Sequence, residues 1–211
     1  KIYSVGIPSI IMGSISSVMT FGMNKIIIVF TSTATAVFGI YFKLQSFVFM
    51  PVFGLNNGMV PIVSYNYGAQ NKKRLTKTIK LAIMYAVCIM FIGIMLFQFI
   101  PDVLLKLFDA SDHMLEIGIP ALRVISLSFA FAGICIVISS SLQALGHGFL
   151  SMMISITRQL IILLPSAYIL AKFGGIHAVW WSFNIAEIGS LTLSLLFFKH
   201  MYNKIIKHLG E

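Results

Sequence analysis

The sequence predicts an all-α fold, a polytopic membrane bundle of six transmembrane helices. Of the 211 residues, 58% are hydrophobic and 10% are charged, and the mean hydropathy is +0.96. A soluble domain carries about 25% charged residues because its surface faces water. Several stretches here are nearly free of charge and reach the length of about 20 residues that a helix needs to cross the hydrocarbon core. Most of the surface is therefore expected to face lipid, and the bilayer is the first expected partner.

Six spans follow from the positions of apolar runs, turns and prolines. Proline is tolerated near the start of a helix, as at Pro8, whereas Pro51 inside the second span predicts a kink. The Gly146–Gly148 and Gly174–Gly175 segments predict short turns. The predicted spans run from about Ile7 to Phe30, Ala34 to Pro61, Leu81 to Ile100, Pro120 to Leu145, Ser151 to Ala171 and His177 to Phe198.

Basic residues cluster at positions that predict the orientation of the chain. Five of them lie in a predicted loop between residues 72 and 80, and Lys199, Lys204 and Lys207 lie near the C-terminus. Cytoplasmic loops carry an excess of Lys and Arg, and six spans place this loop and the C-terminus in one compartment. We therefore expect a multi-pass protein of the cell membrane with both termini in the cytoplasm and an acidic outer loop, Asp102–Gly118. Because this clustering explains the net charge of +9, nucleic acid is not an expected partner.

Polar and small residues of the first span recur on one side of the predicted helix. The spacing from Ser9 through Gly13, Ser16 and Thr20 to Asn24 is four, three, four and four residues. At this spacing they fall within an arc of about 80°. Small residues in such a line either permit close packing of helices or border a cavity. We take Ser16, Thr20 and Asn24 as candidates for a water-exposed pathway, with helix packing as the alternative.

Two charges lie deep in apolar spans. Lys43 and Glu187 are each about ten residues from a span end, roughly 15 Å along a helix and near the middle of the bilayer. A charge at this depth costs about 2.5–3.5 kcal/mol, so each is expected to face a polar interior. Asn184 lies three residues before Glu187 and can share its helix face. Glu187 is thus a candidate for proton or cation coupling; the alternative is a Lys43–Glu187 ion pair that only holds two helices together.

The sequence carries no motif typical of an enzyme. Its five histidines lie at span ends or in loops without the spacing of a metal site, and it has no P-loop, nucleophile elbow or dinucleotide fingerprint. Cys88 and Cys135 lie inside apolar spans, far apart in sequence. We therefore expect no catalytic residue, no metal site and no resident cofactor. A proton or another cation is the small ligand that a membrane carboxylate with polar neighbours suits.

The second span carries the most specific pattern. Residues 43–51 read KLQSFVFMP, residues 54–61 read GLNNGMVP and residues 65–69 read YNYGA. This pattern resembles the multidrug and toxic compound extrusion (MATE) family. The LQALG run at residues 142–146 and the TRQ run at residues 157–159 resemble the same family, so the resemblance covers almost the whole chain.

The resemblance implies a twelve-helix secondary transporter of two six-helix lobes, with residues 1–211 forming the second lobe as a fragment of the longer protein. Members of the family export cationic amphipathic drugs and toxic compounds in antiport with Na⁺ or H⁺. A second lobe and cationic small molecules are thus the implied partners. The motif of the second span adds Gln45 and Asn57 to the candidate pathway residues.

One position departs from the family pattern. Several members carry an acid where this chain has Ser16. The resemblance therefore leaves open whether coupling runs through Glu187 or through the other lobe. A lipid or oligosaccharide flippase of related fold and a non-transporting membrane scaffold are the alternative functions.

Overall fold

The computed structural model describes residues 2–209, with side chains from residue 7 onward except that of Ser9. Ser9, the first residue of the polar line predicted in the first span, therefore lies outside the described side chains. The α-helices are α1 (Ile2–Ile27), α2 (Ser32–Gly68), α3 (Lys72–Phe99), α4 (Pro101–Lys106), α5 (Asp112–Ser126), α6 (Phe129–Ala144), α7 (Gly148–Ile156), α8 (Leu164–Val179) and α9 (Trp181–Lys204). A π-helical segment, Thr157–Leu163, joins α7 to α8, and a 3-10 turn, Ile206–His208, follows α9.

The all-α fold is confirmed, and the described helices provide five spans, or the predicted six when one bent pair counts as a span. Five continuous helical stretches are long and apolar enough to cross a membrane, and the bent pair of α5 and α6 makes a sixth. The fifth span is the continuous stretch from α7 to α8. Helix α2 runs without a break through Pro51 and Pro61.

Two segments predicted as loops are largely helical. The basic residues between 72 and 80 form the first turns of α3, and the outer segment Asp102–Gly118 contains most of α4 and the start of α5. Asn71 caps α3 by accepting a hydrogen bond from the backbone N–H of Arg74 at 3.1 Å. Charged residues are compatible with helix outside the hydrocarbon core, so a charge cluster marks the membrane boundary and not the helix boundary.

The fourth spanning unit along the chain is broken between α5 and α6, which meet at 49°. A break of this kind leaves backbone carbonyls without helical partners, and in a membrane they must be satisfied by neighbouring side chains. Gln98 of α3 donates to the carbonyl of Arg123 at 2.7 Å. Asn184 of α9 donates to the carbonyl of Val124 at 2.9 Å. Side chains of two neighbouring helices thus support the bend.

The fifth spanning unit changes helix type in its middle. Its π-helical segment ends just before Pro165, which lies in the first turn of α8. Proline has no N–H and its ring collides with the carbonyl four residues earlier, so a regular α-helical ladder cannot pass through this position. A π-helical segment is rare and is frequently found at functional sites.

The predicted glycine turns are present. Gly146 follows α6 with φ of 85°, and Gly175 interrupts α8 with φ of 66° and ψ of −166°. Glycine adopts positive φ without the steric penalty of other residues. The turn at Gly175 makes α8 and α9 antiparallel neighbours.

The N-terminal turns of α3 lie beside the C-terminal segment. Lys72 Nζ donates to the carbonyl of Lys207 at 2.6 Å. The turn after α6 lies near the same end of the bundle, because Ser64, in the last turns of α2, donates to the carbonyl of Ala144 at 2.9 Å. The basic cluster and the C-terminus therefore share one end of the lobe, here called the basic end.

Candidate functional site

A polar cavity of about 170 Å³ lies between α1, α2, α6, α7 and α9. Met12 of α1 and Phe53 of α2 form part of its apolar wall. Its polar lining consists of Ser139, Ser140, Gln143, Ser155, Arg158 and Ser190. The volume accommodates several water molecules at about 30 Å³ each, and the hydroxyl and amide groups are the partners that buried water needs. The cavity, which is partly open at the surface of the lobe, is thus suited to hold water.

Arg158 lines this cavity and forms an ion pair with Glu187. Its Nη1 donates to Glu187 Oε1 at 2.9 Å. The side chain of Arg158 is 27% exposed and that of Glu187 is 12% exposed, so both charges are largely removed from the surface. The second carboxylate oxygen, Oε2, is buried without a hydrogen-bond partner among the described residues. Since buried polar atoms are almost always bonded, Oε2 is the atom at which a proton, a cation or a water molecule would be held.

The predicted ion pair between Lys43 and Glu187 is wrong. Lys43 Nζ lies 5.6 Å from the centroid of the Phe108 ring, and its side chain is exposed. Helix α2 does meet α9, but through Tyr41, whose ring centroid lies 5.7 Å from that of Phe183. Lys43 follows Tyr41 by two residues, about 200° around the helix, and so points away from α9. Depth along the helix is similar for the two charges, but the direction of Lys43 excludes the contact.

The sequence-based prediction does not include Arg158 among the site residues, although Arg158 lies inside the predicted fifth span. The signal that identifies it is the turn at Gly174–Gly175, which makes spans five and six antiparallel neighbours. Arg158 lies 16 residues before this turn and Glu187 lies 12 residues after it. Opposite charges at comparable depth on adjacent helices are expected to pair.

None of the polar candidates on α1 and α2 lines this cavity. These candidates are Ser16, Thr20, Asn24, Lys43, Gln45 and Asn57. Ser16 and Asn57 are exposed on the lobe. Thr20 Oγ1 donates to the carbonyl of Ser16 at 2.9 Å and is satisfied within its own helix. Exposed polar groups on spanning helices avoid lipid when another protein surface covers them or when they line a water-filled space.

The two candidates on α9 have different surroundings. Asn184 is buried, and its side-chain amide donates to the carbonyl of Val124, so it supports the bent span. Glu187 pairs with Arg158 beside the cavity. Of the eight predicted residues, Glu187 is the one connected to the cavity, through its ion pair with Arg158, which lines the cavity.

Asn56 is a second polar residue that the sequence pattern does not distinguish from its neighbour Asn57. Its side chain is 5% exposed, and neither amide atom has a hydrogen-bond partner among the described residues. The two asparagines differ because α2 turns one of them into the bundle and the other onto the surface. Burial of an unbonded amide costs about 1–3 kcal/mol, so water is the expected partner of Asn56.

Residues 8–169 match the family model described as MatE. The chain belongs to the MatE family. The matched region begins in α1 and ends in α8, and it includes Arg158 and most of the cavity. This assignment confirms the resemblance seen in the motif of α2 and the prediction that the chain is not an enzyme.

Among sequence relatives, the multidrug export protein MepA of Staphylococcus haemolyticus (strain JCSC1435) is 27% identical over 210 residues, which cover 97% of this chain and 45% of MepA. MepA of Staphylococcus aureus (strain MSSA476) is 30% identical over 188 residues, which cover 89% of this chain and 41% of that protein. The chain thus spans less than half the length of these relatives.

The fold is also that of solved transporters. The chain superposes on the outward-facing structure of a multidrug resistance MATE family transporter of the MOP superfamily with a TM-score of 0.91 and 22% sequence identity. The superposition covers 98% of this chain and 47% of the transporter. One six-span lobe therefore corresponds to about half of such a protein.

Proposed function

We propose that this chain is the second lobe of a twelve-helix secondary transporter that exports cationic amphipathic compounds in antiport with Na⁺ or H⁺. Membership of the MatE family and the half-length match to multidrug export proteins support this proposal. The proposal places the transporter in the plasma membrane with both termini in the cytoplasm, because the basic end of the lobe carries the excess of lysines. The other lobe would cover exposed polar residues of α1 and α2.

The observation that carries the coupling part of the proposal is the free Oε2 atom of Glu187. Arg158 binds one oxygen of the carboxylate at 2.9 Å and leaves the other without a partner among the described residues. The neighbouring cavity offers hydroxyl groups and room for water. An ion that enters this cavity meets Arg158, whose partner Glu187 has one carboxylate oxygen without a hydrogen bond among the described residues.

The geometry suggests how ion binding changes the lobe. A proton or Na⁺ at Oε2 reduces the negative charge that holds Arg158. In this proposal the π-helical segment that carries Arg158, a rare helix type frequently found at functional sites, then shifts relative to α9. When the ion and the drug favour opposite arrangements, binding of one promotes release of the other.

The flippase alternative would be favoured by a cavity lined with several cationic side chains. Among the described residues that line this cavity, Arg158 is the one cation, and Glu187 neutralises it. The cavity thus provides no site for a polyanionic headgroup, and export of cations is the better fit.

The test is resistance to a panel of cationic dyes. The complete gene that contains this lobe is expressed in a bacterial strain without its own drug exporters, and the inhibitory concentration of each dye is measured. We expect resistance with the wild-type gene and loss of most of it with Glu187→Gln. Glu116→Gln makes the same chemical change at a side chain that is 78% exposed, so it serves as the matched control.

Expression of each variant at the membrane is measured in the same cells. A Glu187→Gln protein that is present at the wild-type level but confers no resistance supports coupling. Wild-type resistance in this variant would contradict the coupling role, and absence of resistance with the wild-type gene would contradict drug export.

A further inference from the structure

The first turns of α3 carry a continuous stripe of lysines. Lys73, Lys77 and Lys80 are all exposed and fall within an arc of about 60° on the helix. We call these three residues the lysine face. Met84, also exposed, continues the same stripe toward the middle of the span. The stripe thus changes from charged to apolar along one side of a helix that leaves the basic end and enters the bilayer.

A wide, open space of about 680 Å³ lies over this face, and all the residues that line it belong to α3: the three lysines together with Thr76, Leu81 and Met84, among others. A second groove, of about 290 Å³, lies next to it between α3, α9 and the C-terminal turn. Ile79, Ile83 and Phe198 contribute apolar walls to this groove. Thr76 and Lys80 line both spaces, so the lysine face and the apolar groove are continuous.

The lysine face lacks carboxylate partners in the described part of the chain. Its three ammonium groups make no ion pair there. Four of the five acidic residues between positions 2 and 209 lie between residues 102 and 116, away from the basic end, and the fifth, Glu187, pairs with Arg158. In addition, the buried Thr76 hydroxyl has no hydrogen-bond partner in this part of the chain. Three lysines without an ion pair in this part of the chain therefore lie together on one open surface of α3.

We infer that this corner binds one anionic phospholipid, whose phosphate contacts the lysine face and whose acyl chain lies in the groove between α3 and α9. The inference rests on the proposed orientation, in which the basic end faces the cytoplasm, because basic residues at that surface attract anionic lipid headgroups. The lysine face directly precedes Leu81, where the predicted third span begins. An acyl chain fits apolar walls that face lipid rather than water. The bound lipid would join α3 to α9, the helix that carries Glu187.

The test counts lipids that stay bound to the full-length transporter during native mass spectrometry. The purified protein is titrated with phosphatidylglycerol or with phosphatidylcholine of the same acyl chains. We expect the wild type to retain one more tightly bound phosphatidylglycerol than the Lys73→Gln/Lys77→Gln/Lys80→Gln variant. With a contribution of about fivefold per lysine, the triple change should weaken this lipid about a hundredfold.

The matched control removes three other exposed lysines, with the same change in net charge. It is the Lys25→Gln/Lys106→Gln/Lys172→Gln variant, whose positions lie outside both spaces. We expect this control to bind phosphatidylglycerol as the wild type does. A melting temperature near the wild-type value in phosphatidylcholine shows that both triple variants are folded.

Three results would overturn the inference. Equal weakening in both triple variants would show attraction by net charge alone. Equal loss of phosphatidylcholine and phosphatidylglycerol would show a site without preference for an anionic headgroup. Displacement of the lipid by millimolar inorganic phosphate would show a site for the free anion rather than for a lipid.

Discussion

Replacing Arg158 by methionine should strand a carboxylate in the interior of the bundle. Glu187, which is 12% exposed, would lose the donor on Oε1, while Oε2 has no partner among the described residues. Breaking one side of a buried ion pair costs about 3–5 kcal/mol, and we expect the upper part of this range because neither oxygen would keep a bond. Glu187→Gln should cost less, about 1–3 kcal/mol, because Arg158 remains beside a polar cavity.

The double variant Arg158→Met/Glu187→Gln contains no charge to strand. It should therefore be more stable than Arg158→Met alone, with a coupling energy of about 2 kcal/mol or more between the two positions. The free energy of unfolding is measured for the four proteins of the cycle by denaturant titration in micelles. Lys43→Met removes a cation from α2 that makes no ion pair in the described structure, and it should change this free energy by less than about 1 kcal/mol.

Additive effects of Arg158→Met and Glu187→Gln would refute the ion pair. A Lys43→Met variant as unstable as Arg158→Met would refute the exposed position of Lys43. If instead the cycle shows strong coupling while Glu187→Gln leaves drug efflux intact, the pair holds α9 to the fifth span without coupling an ion.

Further predictions concern topology, packing and the bent span. A cysteine at Asp112 should react with an impermeant reagent from outside intact cells, and reaction only after permeabilisation would reverse the proposed orientation. Gly93→Ala should lower the free energy of unfolding by about 1–3 kcal/mol, because the added Cβ would collide with Val48. Gly58→Ala should leave it nearly unchanged, because a Cβ there meets no atom within 4 Å. Equal melting temperatures of the two variants would contradict this packing. Gln98→Leu should cost roughly 1 kcal/mol by removing the donor to the bent span, and an unchanged unfolding free energy would show that the bend does not need it. The reconstituted 211-residue lobe should move no drug by itself, and measurable efflux would contradict the two-lobe proposal.

Much of the fold follows from local properties of the sequence. The length of each apolar run predicts where the chain crosses the membrane. Gly146 and Gly175 indicate turns, because glycine readily adopts the positive φ that both residues have in the structure. The bend between α5 and α6 is not predicted, because no proline or glycine lies at Leu127 or Ser128. Polar side chains of other helices satisfy the carbonyls at the bend, and such contacts depend on tertiary structure.

The candidate site is predicted only in part. Glu187 is identifiable from the sequence because a charged residue inside an apolar span is costly and is usually functional. Arg158 is identifiable in the same way. The choice of partner depends on the rotation of α2, which turns Tyr41 toward α9 and Lys43 away from it. The depth of a residue in the membrane can be counted from the sequence. The direction in which its side chain points cannot be predicted when the helix is apolar on most sides.

The role proposed for Glu187 is to couple an ion to drug export. Its most direct test uses the full-length transporter in proteoliposomes, where a Na⁺ or proton gradient is imposed and the flux of a cationic dye is recorded. We predict gradient-driven flux with the wild type and none with Glu187→Gln, while dye binding to the detergent-solubilised variant stays within about twofold of wild type. Wild-type gradient-driven flux in the Glu187→Gln protein would contradict this role.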